Sequence, residues 1–298
     1  MALDFAWVIV FHGRDYEICR ERALVLRAVG IPCQLDFHDG YHRVTVAEPD
    51  VGRARAELAA YELEATQPPP EVLPVIPPRP GAVAGTIGYI VTLLAVAGLQ
   101  TNTAFSIDWL SAGRMQSGLV LGGEWWRTVT ALTLHADIAH LFGNLLMGSV
   151  IGFFAVRLLG PGLAWTTIVV AGAAGNAMNA WIQGPAHNSI GASTAVFAAL
   201  GLVSVYSWTR RRHLRDWATR TAPLVGGALL LAYTGSGGER TDIVAHLTGF
   251  VAGSGFGYLF ARLESLDSLQ NDSGGTILAV TAALLVPVCW LAAIAIPA

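Results

Sequence analysis

Four polar side chains stand inside otherwise apolar stretches of this 298-residue chain, and their types are those of acyl transfer. His140 and Asn144 are four residues apart, so on a helix they face the same way. Ser193 closes Gly191-Ala192-Ser193, and His246 stands in Ala245-His246-Leu247-Thr248-Gly249. Together they offer a hydroxyl nucleophile, an imidazole base and extra hydrogen-bond donors for an oxyanion. Each alone has a blander use. Gly-x-Ser in a membrane helix serves as a packing face of small residues, and a lone intramembrane histidine can be structural. Competing mechanisms lack their parts. All 18 basic residues are arginine, which removes a Ser-Lys dyad, a Schiff base or a phosphate-loop lysine. No His-Glu-x-x-His offers zinc ligands, and no two aspartates fall at matching depth inside two helices. Cys19, Cys33 and Cys289 are too scattered for a disulfide framework or a zinc site and read as packing residues. Serine chemistry remains, and it calls for no metal or cofactor.

The elements that must position these residues are membrane helices. A chain that is 53% hydrophobic and 13% charged, with mean hydropathy +0.52, has more apolar surface than one aqueous core can hold. Seven apolar segments follow one another at about 83–99, 137–158, 163–182, 190–208, 222–235, 242–261 and 276–297, against the roughly 20 residues needed to span a bilayer. The fold expected is mainly α, a polytopic bundle of six core helices and a seventh at the C-terminal end. A net charge of −3, with no Lys/Arg run interleaved with aromatics outside one short loop, excludes a nucleic-acid partner.

Residues 1–66 carry nearly half of the charge and a different pattern. Ala6 to Phe11 predicts a strand, Asp15 to Val29 a helix stopped by Gly30-Ile31-Pro32, Gln34 to Phe37 and Tyr41 to Val46 a hairpin about Asp39-Gly40, and Pro49 to Glu64 a second helix. The result is a small α+β soluble domain of βαββα order, a regulatory or stabilising appendage. Residues 67–82, with seven prolines between Pro68 and Pro80, form an extended spacer before the membrane domain at 83–298. The first apolar stretch lacks a basic flank and a cleavage site, so it is no secretory signal and the N-terminus is expected to be mature and cytoplasmic. Arg210, Arg211, Arg212, Arg215 and Arg220 hold the loop between segments four and five in the cytoplasm. Ser193 and His246, each near the start of an even-numbered segment, then lie at similar depth near the external face, and the loop from Gln100 to Thr130 is external too.

The motifs between Gly122 and Gly257 resemble those of the rhomboid family of intramembrane proteases. The family's Trp-Arg signature matches Trp126-Arg127, its His-x-x-x-Asn matches His140 to Asn144, its upstream histidine matches His135, and its Gly-x-Ser matches Gly191 to Ser193. Its Ala-His followed by glycines at intervals of four matches Ala245-His246 with Gly249, Gly253 and Gly257. The N-terminal module is similar in element order to small cytoplasmic domains that precede some bacterial rhomboid proteases. The resemblance implies a Ser-His dyad, with His246 as general base for Ser193 and the oxyanion held by His140, Asn144 and the Ser193 N–H. It also implies Phe197 against the His246 ring, Arg127 anchoring the external loop, and His135 organising the cavity or admitting water. Substrates would be transmembrane segments of membrane-anchored proteins, weakened by Gly or Pro, in a bilayer expected to be a bacterial inner membrane. The protein would act alone or as a homo-oligomer. The alternative is a catalytically inactive relative that binds membrane proteins for quality control. Thr194 stands where many relatives have glycine, and its branched side chain could crowd the substrate. Asp242, four residues before His246, reads as a solvated charge at a helix mouth in preference to a third triad member.

Overall fold

The structure, a computed structural model, describes residues 6–66, 81–212, 214, 216–235, 242–263 and 272–296. The expected spacer lies outside them except for its last two residues, as does Arg215. The chain divides into two compact units, Met1–Leu73 and Pro74–Ala298.

In the first unit, β1 (Trp7–Gly13), α1 (Tyr16–Ala28), β2 (Cys33–His38), β3 (Tyr41–Ala47) and α2 (Val51–Thr66) follow the expected order. The antiparallel sheet runs β1-β3-β2. Asp15 caps α1 by accepting from the N–H groups of Glu17 and Ile18, and Gly30 ends it at φ +75°. Asp39 and Gly40 both take positive φ, the geometry that closes a two-residue hairpin along the twist of its strands. Cys19, Ala23 and Leu26 of α1 and Ala54 and Leu58 of α2 cover Val44 and Val46, leaving the other sheet face, with Trp7 and Ile9 among its residues, exposed.

Among the described residues the second unit is a bundle of seven long helices: α3 (Ala82–Thr101), α7 (Ile138–Leu159), α8 (Pro161–Ile182), α9 (Ser193–Arg210), α10 (Trp217–Gly235), α11 (Ile243–Arg262) and α12 (Asp272–Ala295). Between α3 and α7 the chain makes α4 (Trp109–Gly113), β4 (Met115–Gln116), α5 (Ser117–Leu121) and α6 (Arg127–Thr130), so the segment expected as a long loop is a compact set of short elements. A two-residue strand, β5 (Asn188–Ser189), precedes α9. Helices α3, α7, α11 and the part of α12 from Gly274 are long and apolar enough to cross a membrane by themselves, which makes this a multi-pass membrane protein. α8 and α9 are less apolar because they carry Gly, Thr, Asn and Ser, and they bury most of that surface inside the bundle. α10 starts five residues before the apolar run that predicts it, since Asp216 accepts from the Thr219 N–H and caps a polar first turn.

Helix α9 is the axis, buried on every side from Thr194 to Leu202 and packed against α7, α8, α10 and α11. Its approach to α11 is set by glycine. A Cβ at Gly249, Gly253 or Gly257 would collide with the backbone of Thr194, Ala198 or Leu202 respectively, and one at Gly175 of α8 would lie 2.8 Å from the Gly249 Cα. Three helices therefore share a seam where backbone meets backbone, the arrangement open to small residues at four-residue spacing.

Candidate active site

The segment before α9 is held from three directions. β5 pairs with β4, the Ser117 N–H donates to the His187 carbonyl at 2.9 Å, and the Gly191 N–H donates to the Ala131 carbonyl at 2.9 Å. Gly191 turns the chain at φ +125°, a conformation that L side chains rarely adopt. Ser193 then begins α9, half-buried. As the first residue of the helix it contributes one of the backbone N–H groups that a helix leaves without an internal partner.

His140 is the third residue of α7, its N–H accepted by the Asp137 carboxylate that caps the helix, at 2.8 Å. Its ring lies directly over Gly191. A Cβ there would be 2.7 Å from His140 Nε2 and 3.6 Å from Ser193 Oγ, so the imidazole and the hydroxyl converge on one spot. His135, buried in the loop before α7, meets the His140 ring edge-on at 5.1 Å. Its Nε2 accepts the Ala192 N–H at 3.5 Å, a long bond that requires an unprotonated nitrogen there. Asn144 is buried one turn further along α7. One of its amide hydrogens goes to the His140 carbonyl at 3.1 Å, and its own backbone carbonyl accepts from the Tyr89 hydroxyl at 2.7 Å.

His246 is buried in the first turn of α11, with its ring tilted against Phe197 at 4.4 Å between centroids. Phe197 is one turn beyond Ser193 on α9. The seam next to this contact fixes the height of α11 on α9, and both residues stand at the same end of the bundle. Thr194 is 2% exposed, and its Cγ2 would be 2.9 Å from a Cβ at Gly175. The branched side chain thus fills the junction of α8, α9 and α11, away from the space over Gly191 that a substrate would need. Arg127, 2% exposed, lies in the other direction. Its guanidinium bonds the Glu124 carboxylate and the carbonyls of Ser111 (2.9 Å) and Arg114 (3.1 Å), tying α6 to the segments around α4.

Asp242 differs from the solvated charge that the sequence suggests. It caps α11 through the Ala245 N–H at 3.0 Å, while its other oxygen accepts from Asn179 Nδ2 at 2.8 Å and lies 2.9 Å from His187 Nε2. Burial pushes the carboxyl up, but the donors from Ala245, Ser189, His187 and Asn179 together outweigh it and hold the group below its ordinary value. Neither His187 nor Asn179 stands out in the sequence. The available signal was a histidine, an asparagine and an aspartate at three segment ends.

The family model described as the rhomboid domain matches residues 122–263. Similar proteins include the rhomboid protease GluP of Bacillus subtilis (strain 168), 30% identical over 162 residues that cover 54% of this chain and 30% of that protein. Rhomboid-like protease 1 of Toxoplasma gondii is 30% identical over 185 residues, 61% of this chain and 62% of the relative. RHOMBOID-like protein 5 of Arabidopsis thaliana is 27% identical over 153 residues, 49% and 48% respectively. In each case the match spans less than two thirds of the relative's own length.

Proposed function

We propose that the chain, whose residues 122–263 match the rhomboid domain model, is a rhomboid-type intramembrane serine endopeptidase that cuts transmembrane segments of membrane-anchored proteins. Ser193 Oγ attacks the scissile carbonyl while His246 takes its proton and then passes it to the leaving amine, and water releases the acyl-enzyme. The tetrahedral oxyanion is held by the Ser193 N–H, the His140 ring and the free amide hydrogen of Asn144; one such donor contributes about 3 kcal/mol to the transition state. The observation that carries this reading is the crowding at the start of α9. The His140 ring and Ser193 Oγ share the space over Gly191, while Phe197, one turn on, packs against His246.

A peptide bond inside a helix has its backbone groups occupied, so substrates carry Gly or Pro near the cut to ease local unwinding. The arginine-rich loop after α9 faces the cytoplasm, the site opens near the external face, and a bacterial inner membrane is the setting. Residues 1–66 form a cytoplasmic domain, 67–82 its spacer and 83–298 the protease domain. The alternative of an inactive relative gains nothing from Thr194, whose side chain points into helix packing.

The test is cleavage of a reporter transmembrane substrate in liposomes by wild type, Ser193→Ala and His246→Ala, with a fluorophosphonate label mapped by mass spectrometry. Cleavage and Ser193 labelling in wild type, lost in both variants, is the expected outcome. Absence of both in wild type, or equal cleavage by all three proteins, removes the serine mechanism.

A further inference from the structure

The two reacting groups ride on different helices, and the seam of α9 and α11 fixes their spacing along the bundle. It does not fix the segment that sets the nucleophile's first turn. That segment, from Pro185 to Ala192, carries Gly191 and leads into Ser193, and its side chains reach the α11 end at Asp242, where His187 and Ser189 both bond the carboxylate. His187 Nε2 must carry the proton in its contact with Asp242, because a carboxylate only accepts. Asp242 thus has one oxygen on the start of the helix that bears His246 and the other on the segment that leads to Ser193. Asn179 of α8, fully buried, braces the same oxygen at 2.8 Å.

We propose that His187 and Asp242 are positioning residues, a clamp that registers the nucleophile segment against the base-bearing helix without touching substrate. The inference rests on the serine protease reading above. Asp242 has side-chain exposure of 17% and His187 of 26%, so water competes only partly with their contact. A bond between two separately held segments fixes their relative position, and errors of about 1 Å at reacting atoms cost up to about a hundredfold in rate. The rest of the segment is anchored by backbone bonds to β4, α5 and Ala131, which stay in place when the clamp is cut, so a smaller loss of about tenfold is expected.

Asp242→Asn separates the clamp from the cap, since asparagine caps a helix about as well as aspartate. His187→Ala removes the clamp's histidine donor and leaves that of Ser189, and His187→Gln offers an amide N–H in its place. The protein is the full chain in liposomes, read by turnover of a reporter transmembrane substrate and by the rate of fluorophosphonate labelling at Ser193. In His187→Ala and Asp242→Asn, kcat and labelling rate fall together by about tenfold, KM stays within about twofold, and the thermal midpoint of the purified protein moves little. His187→Gln restores most of the rate, and the double variant is no slower than the slower single one. Unchanged labelling and kcat in both single variants overturns the clamp, and so does a loss that merely tracks the unfolded fraction. A wild-type protein that neither labels nor cleaves overturns the protease reading and the clamp with it, which sets that failure apart from failure of the clamp alone.

Discussion

Gly191→Ala adds one methyl group where the structure leaves no room for it. The new Cβ would stand 2.7 Å from both Cε1 and Nε2 of His140, about 0.7 Å short of the 3.4 Å at which ordinary contact begins. The ring cannot yield freely, because the edge of His135 lies on one side and the capped start of α7 fixes its backbone. The backbone at φ +125° adds its own cost of about 1–3 kcal/mol for a residue with a Cβ. The displacement is enough to take His140 out of hydrogen-bond range of an oxyanion bonded to Ser193. Loss of one such donor lowers kcat by about 10²–10³-fold. The assay compares Gly191→Ala, His140→Ala and the double variant on the same reporter in liposomes, with thermal midpoints measured alongside. The expected pattern is a large loss in each single variant and little further loss in the double, because both remove one interaction. Activity of Gly191→Ala within threefold of wild type would refute the argument, as would losses that multiply in the double variant.

Arg127→Ala leaves Glu124 without its buried partner and two carbonyls without a donor. It is expected to cost about 3 kcal/mol in stability, seen as a lower thermal midpoint in detergent, while labelling of Ser193 per folded molecule stays near wild type. Gly253→Val forces a side chain into the Ala198 backbone and must part α9 from α11. It is expected to abolish a cooperative melt, whereas Gly255→Ala, on a face with open space, leaves the melt unchanged. Asp242 has a lowered carboxyl pKa in the folded state, so its contribution is present above the ordinary carboxylate value of 3.8 and is lost as pH falls through the lowered one. Thermal midpoints measured downward from pH 5 should therefore decline less steeply in Asp242→Asn than in wild type, and identical slopes would contradict the assignment.

The helices were legible because their solvent is lipid: each apolar run had to become a helix, and six of the seven lie within a few residues of their expected bounds. α10 was the exception, because a capping aspartate and a polar first turn carry no apolar signal. The N-terminal module was equally legible, its period changing from helix to strand at Gly30 and its hairpin marked by Asp39-Gly40. In the site, His246 stood out as a histidine inside an apolar run, and Phe197 was expected against its ring from the family resemblance. The pairing of His187 with Asp242 did not stand out, since 55 residues separate them, and His187 lies between apolar runs while Asp242 lies at the edge of one. Asp242 could be placed at a helix mouth from the sequence, but which donors would reach it depends on how α8 and α11 meet. The short elements between α3 and α7 were hidden for the opposite reason, with Gly, Trp and Arg mixed too irregularly to show any period.

The glycine seam also bears on how this molecule would fail on warming. Side-chain packing loosens by degrees as rotamers begin to exchange, but a contact of main chain on main chain has no such slack. The helices carrying positions 193 and 246 therefore stay in register up to the temperature at which they separate altogether. Turnover should rise with heat along a smooth curve and then stop abruptly, with no interval in which a folded bundle carries a misaligned centre.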